Sequence, residues 1–223
     1  MRVEPRADDA EAVWKRFRAG RLTALCDIEL PWSDWSMRPE TIVTILDELS
    51  AHRRTNVVEL GSGVSTVYIA AQLRQISGRV RAVEHDAAWA RVIEDRLDVA
   101  GLGGHAELLV APLEHTDLAL DQTTWYAAGT LALLRDEPID ALIVDGPPGG
   151  PDRPLSRYPA LPFFIDALGP NALVVLDDVT RPGEREILDR WESEFDSVFE
   201  RRPDLRIAMA VGRRRAGPGP RAA

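Results

Sequence analysis

The sequence predicts an α/β fold built on a mostly parallel sheet, and three observations predict it. The apolar run Thr55-Asn56-Val57-Val58 leads through Glu59-Leu60-Gly61-Ser62-Gly63 into Val67 to Leu73, which is a strand, a glycine turn and a helix in order. Strand-like and helix-like segments then alternate, the pattern of a parallel sheet covered on both faces. Two closing strands, Ser197 to Arg201 and Arg206 to Val211, have no helix between them and read as an antiparallel hairpin at one edge.

The elements follow in order. Residues from about Ala7 to Gly20 have helical spacing, with Trp14 and Phe17 on one side. A loop from Ile28 to Pro39 precedes a helix from Glu40 to Ser50, whose Ile42, Val43, Ile45, Leu46 and Leu49 keep the 3.6 period. Ser36 offers that helix a cap. Arg79 to Glu84 reads as a strand, Ala87 to Val99 as a helix and Glu107 to Val110 as a strand. Glu114 to Glu137 is irregular, with a short helix around Ala127 to Leu134. Ile139 to Asp145 is a buried strand. The Gly- and Pro-rich run from Gly146 to Pro154 is a loop. A helix (Pro159 to Leu168), a strand (Ala172 to Asp177) and a helix (Glu184 to Phe195) complete the alternation. One domain, 40–212, is thus expected, with an N-terminal helix and lid loop over 1–39 and a disordered tail over 213–223.

The 223 residues carry a formal charge of −9, which argues against a general nucleic-acid binder. No apolar run approaches the ~20 residues of a membrane span, and the N-terminus lacks the apolar stretch of a signal peptide. Cys26 is the sole cysteine, so a disulfide within the chain is excluded. These features fit a cytoplasmic protein that acts on a small molecule; a homodimer is the base-rate expectation.

Ligands of open α/β sheets bind outside the carboxyl ends of the strands. The Glu59 to Gly63 turn lies at one such end, where glycines allow positive φ and close approach of a ligand. Glu84 closes the second strand and suits a ribose, whose hydroxyls donate to a carboxylate. Ala111-Pro112-Leu113, after the third strand, could floor an adenine. Thr66 stands where a dinucleotide site has its third glycine, and Glu59 would repel a pyrophosphate. A phosphate-free, cationic cofactor fits better.

Glu59-Leu60-Gly61-Ser62-Gly63, Glu84 and the strand ending in Asp145 together resemble the class I S-adenosylmethionine-dependent methyltransferases. Val144 to Gly149, Arg157 to Leu161 and Leu176 to Val179 are similar to a bacterial subgroup related to small-molecule O-methyltransferases. The resemblance implies a Rossmann-like, seven-stranded sheet ordered 3-2-1-4-5-7-6 with strand seven antiparallel. It implies S-adenosylmethionine bound by Glu59, Gly61, Ser62, Gly63, Glu84 and Asp145, with the glycines on the methionine portion.

In that order, Asp145 and Asp177-Asp178 end neighbouring strands, about 5 Å apart. Clustered carboxylates repel unless a cation compensates. Metal-dependent O-methyltransferases of catechols and sugars carry acids at these strand ends, so the resemblance implies Mg²⁺ on Asp145, Asp177 and Asp178. The residues also permit Arg153, Arg157 or Arg181 to pair with the aspartates instead. Sugar-type relatives have a second acid two residues after the first aspartate, where this chain has Pro147. Asp145, Asp178 and His115 are therefore the catalytic candidates. Trp32, Trp35, Trp125 and Tyr126 either wall a substrate pocket or anchor their loops to the core. Two other readings stay open: a cofactor binder without transfer activity, and an NAD-dependent oxidoreductase.

Overall fold

The computed structural model describes residues 20–211, apart from 122 and 196. The expected helix before Gly20 and the tail from 213 lie outside them. After a helical turn at 20–25 and a lid loop, the elements are α1 (Pro39–Ala51), β1 (Asn56–Leu60), α2 (Val64–Gln75), β2 (Arg79–Glu84), α3 (Ala87–Val99) and β3 (Ala106–Val110). Next come β4 (Leu113–His115), β5 (Thr124–Tyr126), α4 (Ala128–Ala132), β6 (Ile139–Val144), α5 (Ala160–Phe164) and β7 (Leu168–Leu176). The last are α6 (Pro182–Phe195), β8 (Glu200–Arg202) and β9 (Ile207–Val211).

Seven strands form one sheet in the order β3-β2-β1-β6-β7-β9-β8. Counted within this sheet alone, that is 3-2-1-4-5-7-6. β9 runs antiparallel to both of its neighbours, and every other pairing is parallel. Strand residues alternate between the two faces. Val58, Leu142 and Val174 pack with Phe164 of α5 and Trp191 of α6, while Val57, Ala141 and Leu173 pack with Ile45 of α1, Ile69 of α2 and Ile93 of α3. Burial on both faces explains why the central strands read as continuous apolar runs. Among the described residues, no helix is long and apolar enough to cross a membrane.

Four local expectations change. The irregular stretch contains an antiparallel hairpin, β4 with β5. α5 ends at Phe164 because the Ala167 carbonyl accepts from the Ile139 N–H and draws Leu168 into the sheet. Residues 197–199 are not strand: the Phe199 N–H donates to Glu192 at 2.9 Å and its ring packs 5.8 Å from Trp191. Ser36 does not cap α1; its hydroxyl accepts from the Ser33 N–H, and Arg38 occupies the cap position with no side-chain bond.

Candidate active site

The turn after β1 is built from inside. Glu59 is fully buried, and the hydroxyls of Ser65 and Thr66 each donate to its carboxylate at 2.6 Å. The Gly63 N–H in turn donates to Thr66 Oγ1 at 3.0 Å. Glu59 thus fastens the first turn of α2 to the end of β1. Burial pushes its pKa up to about 7 despite these two bonds.

Gly61 has φ +93, and a Cβ there would fall 2.8 Å from the Gly146 nitrogen. No side chain fits, so the loops after β1 and β6 touch backbone to backbone. Ser62 turns towards β2, and its N–H and hydroxyl donate to Glu84 Oε2 at 3.2 and 3.1 Å. Glu84 Oε1 accepts from the N–H groups of His85 and Asp86 at 2.7 and 2.9 Å. Burial pushes the Glu84 pKa up, yet the bonds from His85 and Asp86 outweigh it and hold the group below its ordinary range. Asp86 caps α3, and Trp89 Nε1 of that helix donates to the Ser62 carbonyl at 2.9 Å.

Above these strand ends lies a cavity of about 410 Å³, within the usual size of small-molecule sites. Gly61, Ser62, Glu84, Trp89, Tyr126 and Asp145 line it, and Trp35 of the lid loop closes one side. The Tyr126 hydroxyl is buried and has no hydrogen-bond partner among the described residues. A buried hydroxyl left without a partner costs about 1–3 kcal/mol, and an oxygen- or nitrogen-bearing ligand in this cavity would satisfy it. An ionised Glu84 beside an open glycine turn and this orphaned hydroxyl form a cradle suited to an adenosine-type cofactor.

The far side of the cavity holds the aspartates. Ligand atoms of Asp145, Asp177 and Asp178 lie within 4.8 Å of one another. Arg157, only 4 % exposed, stands among them: Nη2 is 3.3 Å from Asp145 and Nη1 is 3.3 Å from Asp178. Its Nε donates to the Pro147 carbonyl at 3.3 Å. Arg181 reaches Asp178 at 2.8 Å and Glu184 at 3.6 Å. Burial, then the Asp177 charge, pushes the Asp145 pKa well above the usual carboxylate range. Burial and Asp178 push Asp177 up to about 6. Burial lowers the Arg157 pKa, but Asp145 and Asp178 outweigh it and leave the guanidinium firmly charged.

The structure therefore brings Gly61, Ser62, Glu84, Asp145, Asp177 and Asp178 to one cavity, and Gly63 to a small adjoining recess that Asp145 shares. Glu59 does not line the cavity, because its carboxylate is spent beneath the turn. His115, a catalytic candidate from the sequence, is exposed at the end of β4, paired with Thr124 on the hairpin, and does not line the cavity. Ala111, Pro112 and Leu113 do not line the cavity either. Of the four aromatics, Trp35 and Tyr126 face it. Trp32 packs on Tyr68, and Trp125 packs on Phe163. Trp89, Arg38 and Arg206 are lining residues the sequence reading missed. Trp89 had a signal, because it sits one turn into the helix that follows Glu84.

The residues 58–179 match the family described as "Methyltransferase domain". No curated protein matches the chain by sequence. Among solved structures it resembles cofactor-bound Rv0187 from MTB, with 19% identity, TM-score 0.64 and coverage of 96% of this chain and 100% of that one. It also resembles SAH-bound PaMTH1, a methyltransferase of Podospora anserina, with 13% identity, TM-score 0.65 and coverage of 96% and 99%. A third is the O-methyltransferase TomG of Streptomyces achromogenes in complex with SAM, with 18% identity, TM-score 0.58 and coverage of 95% and 92%. At these identities the likeness is one of fold. The family match spans more than half of the chain and includes the Gly61 turn, Glu84 and all three aspartates, so the chain belongs to the methyltransferase-domain family.

Proposed function

We propose that the chain transfers a methyl group from S-adenosylmethionine to a hydroxyl oxygen of a small molecule. The observation that carries the reading is that Glu84 and the Gly61 turn open into the same cavity as Asp145. The cofactor-bound state of the structural relatives also supports it.

Glu84 receives the ribose hydroxyls, and Gly61 and Gly63 admit the methionine portion against the backbone. S-adenosylmethionine, if bound there, would supply an electrophilic methyl group on a cationic sulfur that leaves as a neutral thioether. The proton of the acceptor hydroxyl passes to Asp145. Burial and the neighbouring Asp177 raise its pKa, so its ionised form is a stronger base than an ordinary aspartate. Asp178 is held by Arg157 and Arg181, and it positions Arg157 rather than taking the proton.

Mg²⁺ has no part in this reading. The three carboxylates have suitable spacing, but the buried Arg157 guanidinium already bridges two of them and Arg181 holds one. A dication placed among them would face the like charge of the buried Arg157 guanidinium. Arg157 supplies the positive charge in its place.

Calorimetry with S-adenosylhomocysteine and with NAD⁺ tests the cofactor, and binding of NAD⁺ alone would reject the reading. Methyl transfer to hydroxylated acceptors, with and without a chelator, tests the chemistry. Loss of activity on chelation would restore the metal. Full activity in Asp145→Asn would remove Asp145 as base.

A further inference from the structure

We propose that Arg38 and Arg206 bind an anionic group on the methyl acceptor, a carboxylate or a phosphate. The inference deepens the methyl-transfer reading and rests on it, because it names part of that reaction's acceptor.

The two arginines are 168 residues apart in the chain, yet both line the cavity that holds the aspartates. Arg38 occupies the cap position of α1, and Arg206 ends the turn between β8 and β9. Two hydrogen bonds hold them in place. Thr41 Oγ1, on the first turn of α1, donates to the Leu205 carbonyl at 2.6 Å. The Val179 N–H donates to the Arg206 carbonyl at 2.8 Å. These bonds join the start of α1, the β8–β9 turn and the segment after Asp178. Arg206 itself is held at φ +59, a left-handed conformation unfavourable for a non-glycine residue.

Charge pairing singles these two side chains out. Of the other charged groups around the cavity, Glu84 and Asp86 are tied to backbone N–H groups, and Asp145 and Asp178 pair with Arg157 and Arg181. Arg38 and Arg206 have no carboxylate within ion-pair distance among the described residues, and Asp34 of the lid pairs with neither. Both side chains are exposed at the cavity, and the planar forks of guanidinium groups suit carboxylate or phosphate oxygens. The chain's formal charge of −9 disfavours anions at long range. Anion binding here therefore depends on local cations, and these are the two left to provide it. The Arg206 main chain is bonded to the segment directly after Asp178, next to the carboxylates at which the acceptor reacts in this reading, so the anion belongs to the acceptor.

The test uses probes that lack a transferable hydroxyl. Benzoate, phenyl phosphate and neutral benzamide are titrated calorimetrically into the full chain saturated with S-adenosylhomocysteine. The expected result is that at least one anion binds ten-fold or more tightly than benzamide. In the Arg38→Gln/Arg206→Gln double variant that preference disappears, while affinity for S-adenosylhomocysteine, the measure of an intact fold, stays within two-fold. The stronger of the two anions tells carboxylate from phosphate. Equal binding of benzamide, absence of binding by both anions, or a preference that survives in the double variant would each overturn the inference. Failure of the wild type to bind S-adenosylhomocysteine overturns the methyl-transfer reading instead, so the two failures are distinguishable.

Discussion

Gly146 lies directly beneath the Tyr126 hydroxyl: a Cβ on Gly146 would fall 2.2 Å from that oxygen and 2.8 Å from the Gly61 Cα. Three segments distant in sequence thus meet at a point where only hydrogen atoms fit. Gly146→Ala is expected to destabilise the protein by about 1–3 kcal/mol through overpacking. Adding Tyr126→Phe removes one obstacle and leaves the backbone contact with Gly61. The double variant should recover part of the loss, a coupling of roughly 1 kcal/mol by urea unfolding. No recovery would mean that the hydroxyl is not what excludes a side chain.

Tyr126→Phe alone separates stability from binding. The hydroxyl is buried without a partner among the described residues, so its removal breaks no hydrogen bond among them. Unfolding free energy should hold or rise by up to about 1 kcal/mol. Affinity for S-adenosylhomocysteine should fall roughly five- to ten-fold, the worth of one hydrogen bond of about 1 kcal/mol. Calorimetry showing unchanged affinity would place the bound cofactor out of reach of this oxygen.

Glu59 makes stability depend on pH. Its carboxyl titrates near 4.5 when exposed and at about 7 in the buried site. Between these values the folded state binds the extra proton, so stability falls as pH rises through that window and levels off above it. The difference amounts to roughly 3 kcal/mol. Glu59→Gln cannot ionise. Wild type minus variant, measured by urea unfolding at pH 5 and pH 8, should therefore become less favourable to wild type by about that amount. A difference independent of pH would show that Glu59 titrates normally.

What the sequence reveals here is what depends on neighbours along the chain. Strand β2 and helix α3 match their expected bounds because the apolar periods are regular and Glu84-His85-Asp86 ends one element while capping the next. The glycine turn and the two aspartate-bearing strand ends were legible for the same reason. Glu59 was legible as an acid at the turn but not as a buried anchor, since its hydroxyl partners come from the helix that folds back over it. The Leu113–His115 hairpin hides in an irregular stretch, and it is the pairing with Thr124–Tyr126 that carries His115 away and Tyr126 in. Arg157 was one of three arginines open to the aspartates. Only packing decides among them: Arg153 lies on the exposed loop, Arg157 is buried among the aspartates, and Arg181 reaches Asp178 from just before α6.

Arg157 and the aspartates allow a last test that distinguishes a cation supplied by the protein from one supplied by solution. Arg157→Met leaves Asp145, Asp178 and Glu184 facing one another without their buried partner. Breaking such a pair costs about 3–5 kcal/mol, and methyl transfer should fall with it. Arg157→Lys keeps the charge but loses the fork that bridges two carboxylates, so it should recover stability only in part. The vacated space is then open to a divalent ion. Millimolar Mn²⁺ should raise the Tm of Arg157→Met, by linkage of binding to folding, and leave wild type unmoved. A matching rise in wild type would mean that the carboxylates take a metal with Arg157 in place, and that the arginine is not the cation of this site.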